Sequence, residues 1–189
     1  MTTTASTTKS PRPIRIAAVA GLALPALLLG APLAAADTGG AGTVRPCSAS
    51  DFKLVENGRG AAAGTMHVDF ALVRTSDGDG PCRVPGSVDV RWVTTLGGEQ
   101  VGSWATQRDE PGEPFVVDEA DVAEFTLFHA NTGNYDPDEC EPTKVGGIEY
   151  FVGDDTEGSY AGMGPNQYVC ANTDIHGTSL SAVTPSAYN

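Results

Sequence analysis

Met66, Val68, Phe70 and Leu72 alternate with His67, Asp69, Ala71 and Val73, the period-two pattern of a strand with one apolar face. Val88, Val90 and Trp92 alternate with Asp89 and Arg91 in the same way, and the two runs predict two neighbouring strands, with Trp92 as a core anchor. Turn chemistry bounds such runs at short intervals: Ser76-Asp77-Gly78-Asp79-Gly80-Pro81, Leu96-Gly97-Gly98-Glu99 and Pro111-Gly112-Glu113-Pro114. Further strands are predicted over Asp51–Val55, Gln100–Trp104, Val122–Ala130, Gly147–Val152, Asn166–Cys170 and Thr178–Val183. No window beyond the N-terminal segment sustains a 3.6-residue apolar period, and 23 Gly with 13 Pro oppose helices. Short strands with regular turns predict an all-β antiparallel fold, a sandwich or small barrel. A parallel architecture would need crossover helices, for which the pattern leaves no room.

The first 36 residues read differently. Met1 to Arg15 carries Lys9, Arg12 and Arg15 and no acid, Ile16 to Leu29 is uncharged and apolar, and Ala34-Ala35-Ala36 follows. Basic head, short apolar stretch and small-residue exit predict a secretory signal peptide over residues 1–36. Pro25, Gly30 and Pro32 interrupt a run already too short to span a bilayer, so no membrane span is expected after cleavage. Residues 37–46, rich in Gly and Thr, predict a flexible leader, and residues 47–189 a single domain. An exported chain with Cys47, Cys82, Cys140 and Cys170 defaults to two disulfides. No C-x-x-C or C-x-x-H step offers a zinc site. Of the three connectivities, Cys47 with Cys82 and Cys140 with Cys170 suits an antiparallel fold, in which hairpin neighbours lie close.

Charge narrows the partners. Removing residues 1–36 leaves 8 Lys and Arg against 24 Asp and Glu, a net −16. Nucleic acid and anionic membrane surfaces are thereby disfavoured, since both need clustered cations. Seven basic and eight acidic residues lie between Asp37 and Arg108, whereas Asp109 to Asn189 holds Lys144 against sixteen acids. The excess belongs to the C-terminal half.

Several stretches together resemble a family of secreted actinobacterial proteins known as domain of unknown function 4232. They are Cys47-Ser48-Ala49-Ser50-Asp51-Phe52-Lys53-Leu54, the segment from Gly58-Arg59-Gly60 to Gly64-Thr65, and Gly80-Pro81-Cys82-Arg83-Val84-Pro85-Gly86. Asn134-Tyr135 ahead of Cys140-Glu141-Pro142, and a final strand after Cys170, complete the set. The resemblance spans Pro46 to Val183. It departs at Asp118-Glu119-Ala120 and at Gly153-Asp154-Asp155, where that family tends to carry Pro-Gly. The resemblance implies an immunoglobulin-like β-sandwich with two disulfides, and no activity or catalytic residue.

Catalytic chemistry finds little footing. No G-x-S-x-G run occurs; Gly158-Ser159-Tyr160-Ala161-Gly162 is off by one. His67, His129 and His176 are scattered, and the two in predicted strands read as partly solvated surface residues. Copper would want Met and His close together, and the one adjacent pair, Met66-His67, contributes Met66 to the apolar row. Calcium has weak candidates in Asp77 and Asp79 and in Asp154 and Asp155, where carboxylates crowd turns, though Asp in turns also bonds its own backbone. Paired carboxylates for glycoside hydrolysis arise by chance among so many acids.

The expectation is therefore a secreted, non-catalytic binding module without a cofactor. Its candidate partner surface is Tyr135, Asp136, Asp138, Glu139, Glu141 and Tyr160, suited to a cationic protein or a polyamine. The alternatives are a protease inhibitor presenting a disulfide-held loop at Arg83 and an uncharacterised secreted hydrolase.

Overall fold

The computed structural model describes residues 43–75 and 80–186. The predicted signal peptide, the leader up to Gly42, and Asp77 and Asp79 lie outside the described residues. In chain order the strands are β1 (Arg45–Pro46), β2 (Phe52–Ala62), β3 (Thr65–Arg74), β4 (Cys82–Val84), β5 (Val88–Val93), β6 (Gln100–Val101) and β7 (Thr106–Gln107). They continue as β8 (Phe115–Val117), β9 (Val122–Ala130), β10 (Pro142–Val152), β11 (Ser159–Cys170), β12 (Thr178–Leu180) and β13 (Thr184–Pro185). One helical turn, α1 (Pro137–Cys140), precedes β10.

The fold is an antiparallel β-sandwich. One sheet runs β2-β3-β9, with β12 and β13 sharing the far edge of β9 and β7 beside β12; the other runs β11-β10-β5-β6. A small third sheet, β1-β4-β8, carries the first disulfide. Period-two alternation turns Val68, Phe70 and Leu72 of β3, with Phe125 and Leu127 of β9, toward Val90, Trp92, Ile148 and Tyr150 of the opposite sheet. These side chains form one buried cluster, each contributing roughly 1.5–3 kcal/mol by leaving water.

The two alternating runs that predicted neighbouring strands are β3 and β5, and they face each other across the core instead of pairing. Alternation reports which face a side chain takes and carries no information on the partner strand. Arg45 and Pro46, expected in the leader, are held in β1 against Cys82 and Arg83. The two parallel pairs, β1 with β4 and β7 with β12, are two residues long and need no crossover helix.

Strands β2 and β3 join through Ala63-Gly64, with φ of 48° and 78°, between the partners Ala62 and Thr65. Positive φ at both positions marks a type I′ turn, whose twist matches a two-residue hairpin. β2 extends well beyond the predicted Val55, bulging between Glu56 and Gly58 so that Arg59 and Ala61 keep the inward register against Val68 and Met66. β11 contains a second irregularity: Val145 pairs with Gln167 but Gly147 pairs with Gly162, so Met163 to Asn166 bow out opposite Gly146. The disulfides join Cys47 to Cys82 and Cys140 to Cys170, the sequential connectivity expected.

Candidate functional site

Strands β2 and β11 are the outer strands of their sheets on one side of the sandwich, and a seam runs between them. Arg59 closes its middle, donating to both Glu56 carboxylate oxygens at 2.8 and 2.7 Å and to the Met163 carbonyl at 3.3 Å. The Glu56 carboxylate holds the guanidinium pKa above its ordinary value, and Arg59 in turn depresses that of Glu56. An inward-pointing ion pair on an edge strand also discourages another chain from adding to that edge.

On one side of this buckle lies a groove of about 580 Å³. Its walls are the end of the β2–β3 hairpin, from Ala61 to Met66, and Asn166 to Tyr168 of β11, with Asn131 and Thr132 at the rim and His129 below. The cause is local. Ala61, Met66 and His129 are cross-strand neighbours on the inner face, and the run Ala61-Ala62-Ala63-Gly64 supplies too little side-chain volume to fill the space that the β11 bulge opens. A second groove of about 560 Å³ lies on the other side of Arg59, lined by Phe52, Leu54, Phe70, Tyr150 and Tyr160 among others.

His129 was expected at the surface and is instead buried, 4% exposed. Trp92 Nε1 donates to Thr178 Oγ1 at 2.8 Å, Thr178 Oγ1 lies 3.0 Å from His129 Nδ1, and His129 Nε2 lies 3.2 Å from the Tyr168 carbonyl. An indole N–H can only donate and a carbonyl can only accept. Hydrogen therefore sits on Nε2, and Nδ1 accepts from the Thr178 hydroxyl. This chain of three bonds links β5, β12, β9 and β11, and so pins one sheet to the other. Burial depresses the His129 pKa, against an opposing contribution from the Tyr168 carbonyl, keeping the ring neutral.

The predicted partner surface assembles only in part. Asp136, Asp138, Glu139 and Glu141 are exposed around α1, directly after half-buried Tyr135. Asp136 caps the turn by accepting from the Asp138 N–H at 2.8 Å, and Glu141 ends it at φ 51°. Tyr160 is elsewhere: it pairs with Glu149, seven residues along β10 from Pro142 and so roughly 23 Å from the end of β10 that follows α1, and its hydroxyl donates to the Gly146 carbonyl. Sequence proximity of charge and aromatic residues gave no view of that strand length.

Arg83 does not sit on a loop. It lies in β4, the middle strand of the small sheet, bonded on both sides to β1 and β8, so the geometry of a protruding inhibitory loop is not present there. Asp155 accepts from the Ala49 N–H, fastening the β10–β11 turn to the start of the domain, while Asp154 is exposed. The one group of three potential ligands among the described residues is Cys47, Asp51 and Cys82, and its sulfurs are joined in a disulfide. Asp51 is a structural hub: Arg45 grips both its oxygens at 2.8 and 2.6 Å, the fully buried Arg74 guanidinium lies at 2.9 Å, and the Ser48 N–H donates at 2.8 Å. Arg45 above all holds its carboxyl well below the usual carboxylate range.

Sequence reasoning missed the groove. Its available signal was the Ala61-Ala62-Ala63-Gly64 run next to a strand, together with Gly164-Pro165 inside another; both mark places where packing volume is withheld.

Among the described residues no helix is long and apolar enough to cross a membrane, and two disulfides suit an oxidising compartment. No curated protein and no solved structure matches the chain. Residues 47–184, from the first cysteine to the start of β13, match the family described as Domain of unknown function (DUF4232), and the chain belongs to that family.

Proposed function

We propose that this chain is an exported, non-catalytic binding module whose ligand site is the groove between the β2–β3 hairpin and β11. One observation carries the reading: the imidazole that lines the groove, His129, has both ring nitrogens committed to the bonds that hold the sheets together. A general base needs a nitrogen facing its substrate, and a nucleophile needs such a base. All four cysteines are bridged, which removes thiolate chemistry. The groove thus offers shape and hydrogen-bonding groups to a ligand, which supports binding over turnover. Export is supported by the basic-apolar-small order of residues 1–36 and by the disulfides. An immunoglobulin-like arrangement is supported by β2-β3-β9 set against β11-β10-β5, with β12 and β13 as additions at the outer edge.

The test is chemical-shift mapping of labelled protein against fractions of the producing organism's envelope and medium. The expected result is that one fraction shifts the amides of Gln167, His129 and Thr132 and is recovered unchanged. Turnover of that fraction, or no shift at the groove with any fraction, overturns the reading.

A second reading is favoured by the exposed carboxylates around α1 and the sixteen acids of the C-terminal half: docking of a cationic protein or polyamine, with Tyr135 as an apolar contact. It expects an association rate that falls steeply with salt.

A further inference from the structure

We infer that the groove takes a neutral, polyhydroxylated ligand, a saccharide. The inference rests on the groove being the ligand site and adds the class of ligand. The lining contains no carboxylate, ammonium or guanidinium, although the chain as a whole is heavily acidic. A charged ligand entering would lose hydration and find no counter-charge, a cost of several kcal/mol. An anion would in addition meet the repulsion of the protein's net negative charge.

What the lining does offer is neutral polar groups. The side chains of Thr65, Thr132, Asn166 and Gln167 all line the groove, and none of the four carries a hydrogen bond to another described residue. Their placement has structural causes: Thr65 opens β3 directly after the turn, Thr132 begins the loop leaving β9, and Asn166 and Gln167 follow the β11 bulge, with Gln167 opposite buried Val145. Each hydroxyl or carboxamide can both donate and accept, which is the capacity of a sugar hydroxyl. Met66 and Ala61 to Ala63 supply apolar surface for the C–H faces of a pyranose. At β11 the free strand edge is broken by the Met163–Asn166 bulge, since regular pairing resumes only where Gln167 and Tyr168 meet Val145 and Lys144. An extended peptide, which recognises a free strand edge through main-chain bonds, is also met at β2 by the Glu56–Arg59 pair and a bulge. Discrete hydroxyls suit the separated side chains better.

The experiment is isothermal titration of the full exported chain with a panel of neutral oligosaccharides, a sulfated oligosaccharide and an uncharged extended peptide. At least one neutral oligosaccharide should bind, with an affinity unchanged between 0.05 and 0.5 M salt. Gln167→Ala and Thr132→Val should each weaken it by about tenfold or more, the scale of one or two lost hydrogen bonds. The exposed Asn166→Gly variant, which removes the carboxamide at a position of φ 65° that glycine adopts freely, guards against misfolding and should also weaken binding while leaving the thermal midpoint in place. The inference falls if no neutral oligosaccharide binds at millimolar concentration, if the three variants bind as well as the parent, or if the peptide alone binds. A natural fraction that shifts groove amides but contains no saccharide would sink the ligand class and leave the site standing.

Discussion

Asp51 shows how much one side chain can organise. Its carboxylate meets Arg45 of β1, the Ser48 N–H and the buried guanidinium of Arg74 at the end of β3, which also lies 5.6 Å over the Phe52 ring. Removing one partner of a buried pair leaves the other charge uncompensated, at a cost of about 3–5 kcal/mol. Asp51→Ala should therefore lower stability to urea by about that amount. The Asp51 carboxyl is held far below its unfolded value of about 4, so its contribution is fully present above that pH and is lost as pH falls through the folded value. Parent and variant should consequently converge in strong acid, as equilibrium unfolding across pH would show. His129 titrates in a different window. Its folded pKa is below the unfolded value of about 6.5, so its stabilisation is complete above pH 6.5 and declines as pH drops toward the folded value. Urea midpoints of the parent should decline as pH falls below 6.5, and His129→Gln should abolish that decline. The role of Asp51 was not legible in the chain, since nothing near it in sequence announces Arg74, whereas His129 continues the inner row of Ala123, Phe125 and Leu127 at period two, so its burial was legible and only its partners were not.

At the scale of elements, strong alternation was legible and weak alternation was not. β9 occupies Val122–Ala130 as predicted, because Ala123, Phe125 and Leu127 mark its inner face without interruption. The predicted strand Asp51–Val55 stops short of the observed end of β2 at Ala62, because Gly58 and Gly60 interrupt the apolar alternation; the bulge absorbs the extra residue and pairing continues. The hairpin turn escaped notice because alanine is an unfavourable occupant of the left-handed region, costing roughly 1–2 kcal/mol there. Ala63→Asn should recover part of that, raising stability by about 1 kcal/mol and the melting temperature by about 2–4 °C. A drop in melting temperature would show that the turn differs from the one described. The disulfides act at this scale too. In the chain-entropy view, closing separations of 35 and 30 residues contributes about 3–4 kcal/mol each, so replacing either cysteine pair by alanine should shift the urea midpoint by a corresponding amount.

The whole molecule combines an acidic exterior with a neutral groove. Sixteen acids against Lys144 beyond Arg108 generate a negative field that keeps the chain soluble and repels anions. The same excess drew the sequence reading toward α1, where four carboxylates do gather, and away from a groove whose polar groups come from three separate segments. Charge is visible in one dimension; a cavity exists only once β2, β9 and β11 are assembled. Intact mass of the exported chain should show a start at Asp37 and the loss of four hydrogens, with non-reducing peptide maps linking Cys47 to Cys82 and Cys140 to Cys170. The most direct test compares two variants for binding of the producing organism's envelope polysaccharide at 0.15 M salt: Gln167→Arg, which fills and charges the groove, and a fourfold variant neutralising Asp136, Asp138, Glu139 and Glu141. The account predicts that Gln167→Arg loses binding by tenfold or more while the fourfold variant binds within about twofold of the parent. Loss in the fourfold variant with binding intact in Gln167→Arg would contradict it and place the functional surface at α1.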